Sequence, residues 1–528
     1  MPRRSALVGI SGALIAAQFP ASSRSHSQAS LLDYLPAEQH ARLMRGNSDF
    51  DCAPAIGRAL QETSCAQVAL VVPAGVYNLV PAQVLHHADP NFECLAAIKI
   101  CTNMRIVGQP GATFRMAPGF SNDQKPKAMV MFGTDGVHED VELDGLTLDM
   151  NGRHNPISPE RAGRIFNRFP QAQIFVSSGR NRPAARIDRV RITDTVFRNA
   201  NGVSCIVMGQ TEDGTSPLGR DWYLERCQFW ENGHDTDDHS SVFAYAERVI
   251  TRSCLFANRR PFDGTGVNTA YEVHGAKQEI SGCAFANMLR GIWVAGNYSA
   301  PTTGTLIAEN DFRTTFYGVD FFRDRAELAP IEDTRIMNNR FKFNDYLIAN
   351  IPDLRFKAAV QVASEYSQKG VIISQNAVSK EGHAVTSAFL VVTGGFKGRR
   401  RHEDIVARAN KGEGLTFGSF VRTVPTAGIG TLSITRNHWS NLAPSKTMQI
   451  AAGDAFESTI EPQPVGSLTI GGGSVSRSLA AGTRTYDVFI NTTIEHLRLL
   501  RTTRRGGVEP KLIIGDAGRI LVRSGDAA

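Results

Sequence analysis

Six short apolar segments line up on one phenylalanine: ITDTVFRN (192–199), LERCQFWE (224–231), ITRSCLFAN (250–258), ISGCAFAN (280–287), IAENDFRT (307–314) and IMNNRFKF (336–343). The shared residues are Phe197, Phe229, Phe256, Phe285, Phe312 and Phe341, spaced by 32, 27, 29, 27 and 29 residues. Two places before them stand Thr195, Cys227, Cys254, Cys283, Asn310 and Asn339. Between these segments lie runs of alternating apolar and polar residues: VSCIV (203–207), VFAYA (242–246), YEVHG (271–275), IWVAG (292–296) and VDFFR (319–323). Strand, bend and strand, repeating at about 30 residues with no helical period between them, predict a parallel β-solenoid. Successive coils then stack about 4.8 Å apart, so equivalent residues form ladders along the axis. The Phe ladder faces inward, and so does the cysteine ladder, as a small apolar column and not as a metal or catalytic site.

Period-two alternation assigns a direction to the second strand of each coil. It turns Val203, Val242, Tyr271, Ile292 and Val319 inward, followed by Cys205, Ala244, Val273, Val294 and Phe321. Tyr271 is the awkward member, because a buried hydroxyl needs a partner. The outward columns read Ser204, Phe243, Glu272, Trp293 and Asp320 beside Ile206, Tyr245, His274, Ala295 and Phe322. Aromatic side chains flanking carboxylates and an imidazole suit a sugar groove, where rings take the apolar face of a pyranose and carboxylates its hydroxyls. Long bends at 231–241 and 257–270 feed the same strands and add Asp235, Asp237, Asp238, His239, Arg259 and Arg260.

Weaker coils extend the pattern. VALVVPAGVYNL (68–79), MRIVGQPGATFRM (104–116) and VELDGLTLDMNG (141–152) precede it; GVIISQNAV (370–378), DIVARANKG (404–412) and GTLSITRNHW (430–439) follow. Before the first strand, residues 49–64 predict a short helix with Asp49 or Asp51 at its N-cap and Ile56, Ala59 and Leu60 on one face. Such a helix covers the open end of a solenoid. An amphipathic segment, then VVPAGVYNL, then LDGLTLDMNG, resembles the pectate-lyase-like right-handed parallel β-helix superfamily, which includes polysaccharide lyases, polygalacturonase-type glycosidases, epimerases and phage tailspikes. LLDYLPAEQHARL (31–43) resembles the lead-in of tailspike-like members.

The reading is therefore an all-β chain: an export signal at 1–25, a capped parallel β-helix over 31–440, and a β-rich tail over 441–528 that forms closing coils or a small accessory β-domain. The resemblance implies a polysaccharide or oligosaccharide as partner. Glu272 and Asp320 share a column two rungs apart, so their backbones lie about 10 Å apart. Side chains leaning together reach the separation of about 6.5–9.5 Å used by an inverting glycosidase. Glu272 is the expected general acid, with Asp320 or the Asp237/Asp238 pair activating water, and His274 as hydrogen-bond partner, base or sugar contact. Phe243, Tyr245, Trp293 and Phe322 are the expected sugar contacts. For a lyase, Arg259 or Arg260 neutralises a uronate carboxylate, and Ca²⁺ is the one ion that could assist; no other cofactor is expected. Polygalacturonase-like members carry Asn-Thr-Asp, a paired Asp, Gly-His-Gly and Arg-Ile-Lys. Here Asp237-Asp238 is followed by His274-Gly275, but Val273 precedes the histidine and the other two motifs are missing. The rival reading is a non-catalytic glycan-binding or structural β-helix.

Composition adds limits. Among 528 residues there are 48 Gly and 24 Pro, and no apolar run long enough for a membrane span. A net charge of +6 suits an acidic polymer but is too diffuse to argue for nucleic acid. Arg3-Arg4, the apolar run Ala6–Ala17 and the small residues after it read as a twin-arginine-like signal, hence a periplasmic or extracellular protein. In such a compartment Cys52/Cys65 and Cys94/Cys101 are candidate disulfides. Oligomeric state is not legible.

Overall fold

The computed structural model describes residues 28–523 except 87–92, 120–126, 157–170, 178–184, 210–218, 234–237, 260–266, 297–300, 314–315, 323–330, 345–355, 364–367, 383–384, 394–401, 424–428, 444–449, 459–464, 472–473, 478–483, 492–493, 501–510 and 516–518. The segment expected to direct export therefore lies outside the described residues.

Strands are short because each coil must turn three corners. In one coil Ala246–Arg252 belongs to the first sheet, Leu255–Ala257 to the second and Val267–Val273 to the third. The next coils repeat this as Glu279–Ser281, Ala284–Ala286 and Arg290–Ala295, then Leu306–Ala308, Asp311–Arg313 and Tyr317–Phe322. Among the described residues, stacking gives three long sheets of 17, 13 and 16 strands, a parallel β-helix.

The ladders expected from the repeat are formed. Phe197, Phe229, Phe256, Phe285, Phe312 and Phe341 pair in register. Their rings stack at 4.8, 4.5, 5.1, 4.7 and 4.7 Å within 9° of parallel. One ring per rung, at the spacing the backbone already imposes, lets a single residue type fill the core. The corner before each Phe uses two residues, the first left-handed (Ser253 φ 53°, Gly282 φ 62°, Glu309 φ 59°, Asn338 φ 57°). The second is the Cys/Asn column. Its cysteines, Cys227, Cys254 and Cys283, are buried.

From Asn310 onward the column changes chemistry and continues through Asn339, Asn376, Asn410 and Asn437. Each backbone N–H and side-chain amide donates to the next Oδ1 at 2.9–3.0 Å, and each Nδ2 also reaches a carbonyl of the preceding coil. On the first sheet and the corner that follows it, Arg189, Arg226 and Arg248 clamp Asp140, Asp194 and Asp221 on neighbouring rungs. Those guanidiniums hold the three carboxyls below the ordinary aspartate value.

Two helices close the N-terminal end, α1 (Ala37–Met44) and α2 (Ala53–Ala66). Ile56, Ala59 and Leu60 of α2 enter the core as expected. Asp51 accepts from the Ala53 and Val80 N–H groups, although Cys52 holds the N-cap position. Beyond residue 441 parallel pairing continues through Ile494–Leu500, and Lys511–Gly515 and Arg519–Arg523 then pair antiparallel, the latter against Arg484–Asn491. All eight cysteines are free, so the two candidate disulfides are not formed. Cys52 and Cys94 are buried, and Cys101 instead meets Ser64 at 3.2 Å. Among the described residues no helix is long and apolar enough to cross a membrane.

Candidate functional site

Five third-sheet strands build the wall that carries the candidate residues: β1 (Ser204–Val207), β2 (Asp238–Ala244), β3 (Val267–Val273), β4 (Arg290–Ala295) and β5 (Tyr317–Phe322). One outward column runs Phe243, Glu272, Trp293, Asp320, as expected. On β1, however, Val207 underlies Phe243, while Ser204 underlies Ser240 and Ile206 replaces Val203 in the inward column. The cause is a bend within each strand. Ala270 and Tyr271 both enter the core, and a Cβ on Gly291 would lie 2.5 Å from the Phe312 ring. Two consecutive inward residues reset the alternation, so a second outward column stands three residues earlier: Ser240, Thr269, Arg290, Tyr317.

The two columns meet in hydrogen bonds. Ser240 donates its hydroxyl to Glu272 Oε1, and His274 Nε2 lies 2.8 Å from Glu272 Oε2. His274 Nδ1 faces the Gly296 carbonyl at 3.0 Å. A carbonyl only accepts, so Nδ1 carries a hydrogen and the Nε2–Oε2 contact holds one shared proton, as imidazolium with carboxylate or imidazole with carboxylic acid. Phe243 and Tyr245 stack at 5.8 Å, with their ring centroids 4.4 and 5.6 Å from the imidazole.

One rung beyond, Arg290 Nε donates to Asp320 Oδ2 at 2.8 Å, and its guanidinium lies 5.0 Å over the Trp293 ring. Asp320 Oδ1 and Thr269 Oγ1 are buried with no hydrogen-bond partner. Burial pushes the Asp320 carboxyl up to about 6, against the opposing pull of Arg290. Burial, and then the Asp320 charge, raise Tyr317 as well.

The four central residues thus share one wall, but not an open groove. Glu272 is 5% exposed and Asp320 2%, Tyr245 is buried, and Phe243, Trp293 and His274 are half-buried. Expected solvent-facing carboxylates are corrected to covered ones: each is paired along the wall, and alternation alone gives no sign of what packs above a sheet. Tyr271 points inward, its hydroxyl meeting Thr251 and Gln278 at 3.3 Å. Asp238 begins β2 and Phe322 ends β5, paired with Ala295. Asp237 and Arg260 lie outside the described residues. Arg259 is exposed, its backbone N–H held by the Glu231 carboxylate. Among the described residues, no group of three or more His, Cys, Asp or Glu is placed to hold a metal ion. Ser240, Thr269 and Arg290 were missed. The signal was the small residue after each (Ser241, Ala270, Gly291), which marks the bend.

No protein-family model and no curated protein matches the sequence. Solved structures with the same fold include tailspike proteins of E. coli bacteriophage HK620. An aspartate-to-asparagine variant in complex with a pentasaccharide superposes with TM-score 0.60 at 13% identity, over 88% of this chain and 80% of that one. A glutamate-to-glutamine variant, with two residues deleted, in complex with a hexasaccharide gives TM-score 0.54 at 12% identity, over 88% and 71%. The likeness establishes the fold.

Proposed function

We propose that this chain is a glycan-cleaving enzyme whose acid–base pair is Glu272 and Asp320 on the third-sheet wall. The observation that carries the reading is Asp320: a buried carboxyl raised to about 6, held through one oxygen by Arg290, with its other oxygen unpartnered, on the rung next to Trp293. A carboxyl raised into this range is partly protonated near neutral pH, which a general acid requires. That favours Asp320 as the acid and Glu272, which shares a proton with His274, as the base, the reverse of the order expected from sequence. Solved tailspikes of the same fold bind oligosaccharides, and this supports a glycan as the substrate class.

Incubation with a panel of acidic and neutral glycans tests the proposal. New reducing ends would report hydrolysis, and an ultraviolet-absorbing unsaturated uronate would report elimination. Glu272→Gln and Asp320→Asn should each lower turnover by about 100-fold or more while the melting temperature is kept. Unchanged turnover in both variants would remove the pair. The burial of both carboxyls favours one other reading, in which the network is structural and the β-helix only binds glycan. Binding without product across the panel would establish it. Export remains part of the proposal on the strength of Arg3-Arg4 and the apolar run behind them, and N-terminal sequencing of protein recovered outside the cytoplasm checks it.

A further inference from the structure

We infer that the sugar bound against Thr269, Trp293 and Asp320 is neutral, so the bond is broken by hydrolysis and not by elimination beside a uronate. This rests on the glycan-cleaving reading and narrows it to one substrate class.

Elimination needs positive charge to spare. The proton α to a uronate carboxylate becomes removable only when that carboxylate is neutralised, by a cation the site has not already spent. On the described strands of the wall, and just after β3, the basic side chains are His239, His274 and Arg290; His239 is buried, with its ring nitrogens on the Gly202 carbonyl and the Ser241 hydroxyl. Arg290 gives its Nε hydrogen to Asp320 and lies over Trp293. His274 has one ring nitrogen on the Gly296 carbonyl and the other on Glu272. All three are engaged by partners within the protein.

What the wall leaves unspent is oxygen. Asp320 Oδ1 and Thr269 Oγ1 are buried and unpartnered, on the rungs either side of Trp293. A buried polar atom without a partner costs about 1–3 kcal/mol, so the pair is a standing demand for a ligand's polar groups. When ionised, Asp320 Oδ1 accepts from a hydroxyl or an amide N–H and repels another carboxylate; when protonated, it donates its hydrogen to a sugar oxygen. A carboxyl raised by burial fits the same chemistry, because a second anion alongside would raise it further. The Thr269 hydroxyl both donates and accepts, so the subsite suits neutral groups that do the same, ring hydroxyls or the amide of an N-acetylated sugar, and a carboxylate beside Asp320 is disfavoured.

Matched substrates test this. Each acidic polysaccharide of a panel is paired with its carboxyl-reduced form, which keeps linkages and ring configuration but loses the charge. The full chain should release reducing ends from neutral members, with no ultraviolet-absorbing product. Thr269→Val, which keeps shape and removes the hydroxyl, should raise KM on the neutral substrate by about fivefold to tenfold with kcat and melting temperature little changed. A preference for the acidic member, or an unsaturated product from it, overturns the inference while leaving a glycan-cleaving enzyme. An unchanged KM in Thr269→Val removes the Thr269 subsite and overturns it too. No binding and no product from either member of any pair overturns the enzymatic reading, and this inference falls with it.

Discussion

Asp320 is poised between two opposing forces, and each has an address. Burial favours its neutral form, and the Arg290 guanidinium 2.8 Å away favours its ionised one. Removing Arg290 leaves burial unopposed, so the carboxyl rises above its present value of about 6. If Asp320 is the acid, the alkaline limb of kcat/KM should bend near pH 6 in the wild-type protein and at higher pH in Arg290→Met. A pH–rate profile on any cleaved glycan reads this directly, and an unmoved inflection would assign the limb to another group. The same shift acts on stability. A folded-state value above the ordinary 3.8 means that Asp320's contribution is fully present below about pH 4 and is lost as pH rises through about 6. The active-site candidate is therefore a place where neutral pH works against folding, which is common where chemistry and stability compete.

The unit of construction is the ladder, and ladders of different chemistry should tolerate loss differently. Asn376 accepts from the N–H and Nδ2 of Asn339 and donates to the Ile336 carbonyl and Asn410 Oδ1. Its replacement by alanine strands several buried polar groups, each worth about 1–3 kcal/mol. Cys283 occupies the equivalent place with weaker, sulfur contacts: its Sγ accepts from the Cys254 N–H at 3.4 Å and reaches the Ser281 and Thr251 carbonyls at 3.4 and 3.6 Å. Urea unfolding should show Asn376→Ala far more destabilised than Cys283→Ala, and equal losses would mean that the amide column adds nothing beyond packing. These columns were legible because a ladder demands the same residue type at each rung, and the sequence displays that repetition directly. The wall was legible only in part. Phe243, Glu272, Trp293 and Asp320 aligned correctly because four strands in succession carry the same apolar frame. Ser204 did not, since the bend at Ala270 and Gly291 lets two neighbours face inward and breaks strict alternation. Burial of Glu272 and Asp320 left no trace in their own strands, because cover over a sheet is supplied by residues distant in sequence.

At the scale of the whole molecule, a solenoid passes stress only between neighbouring coils, so a local fault should stay local. His402 offers a built-in fault to test this. It is fully buried; its Nδ1 accepts from the Gln368 N–H at 3.2 Å, and its Nε2 donates to the Thr393 carbonyl at 2.8 Å. Burial lowers the imidazole to about 4 from an ordinary 6.5. A folded value below the unfolded one means that the stabilisation is present above about 6.5 and is lost as pH falls through about 4. Protonation would set an Nδ1 hydrogen against the Gln368 N–H, splitting the coil below from the coil that pairs His402 with Ile429. Hydrogen exchange at pH 7 and near pH 4 should therefore show protection lost first along Gln368–Ser374, Glu403–Arg408 and Ile429–Thr435, while Val267–Val273 and Tyr317–Phe322 keep theirs. In His402→Gln, which keeps a neutral donor and acceptor, that acid-induced opening should vanish. Simultaneous loss across all coils would show that the chain unfolds as one cooperative body, and the Asp320 wall could then not be read apart from the coils around it.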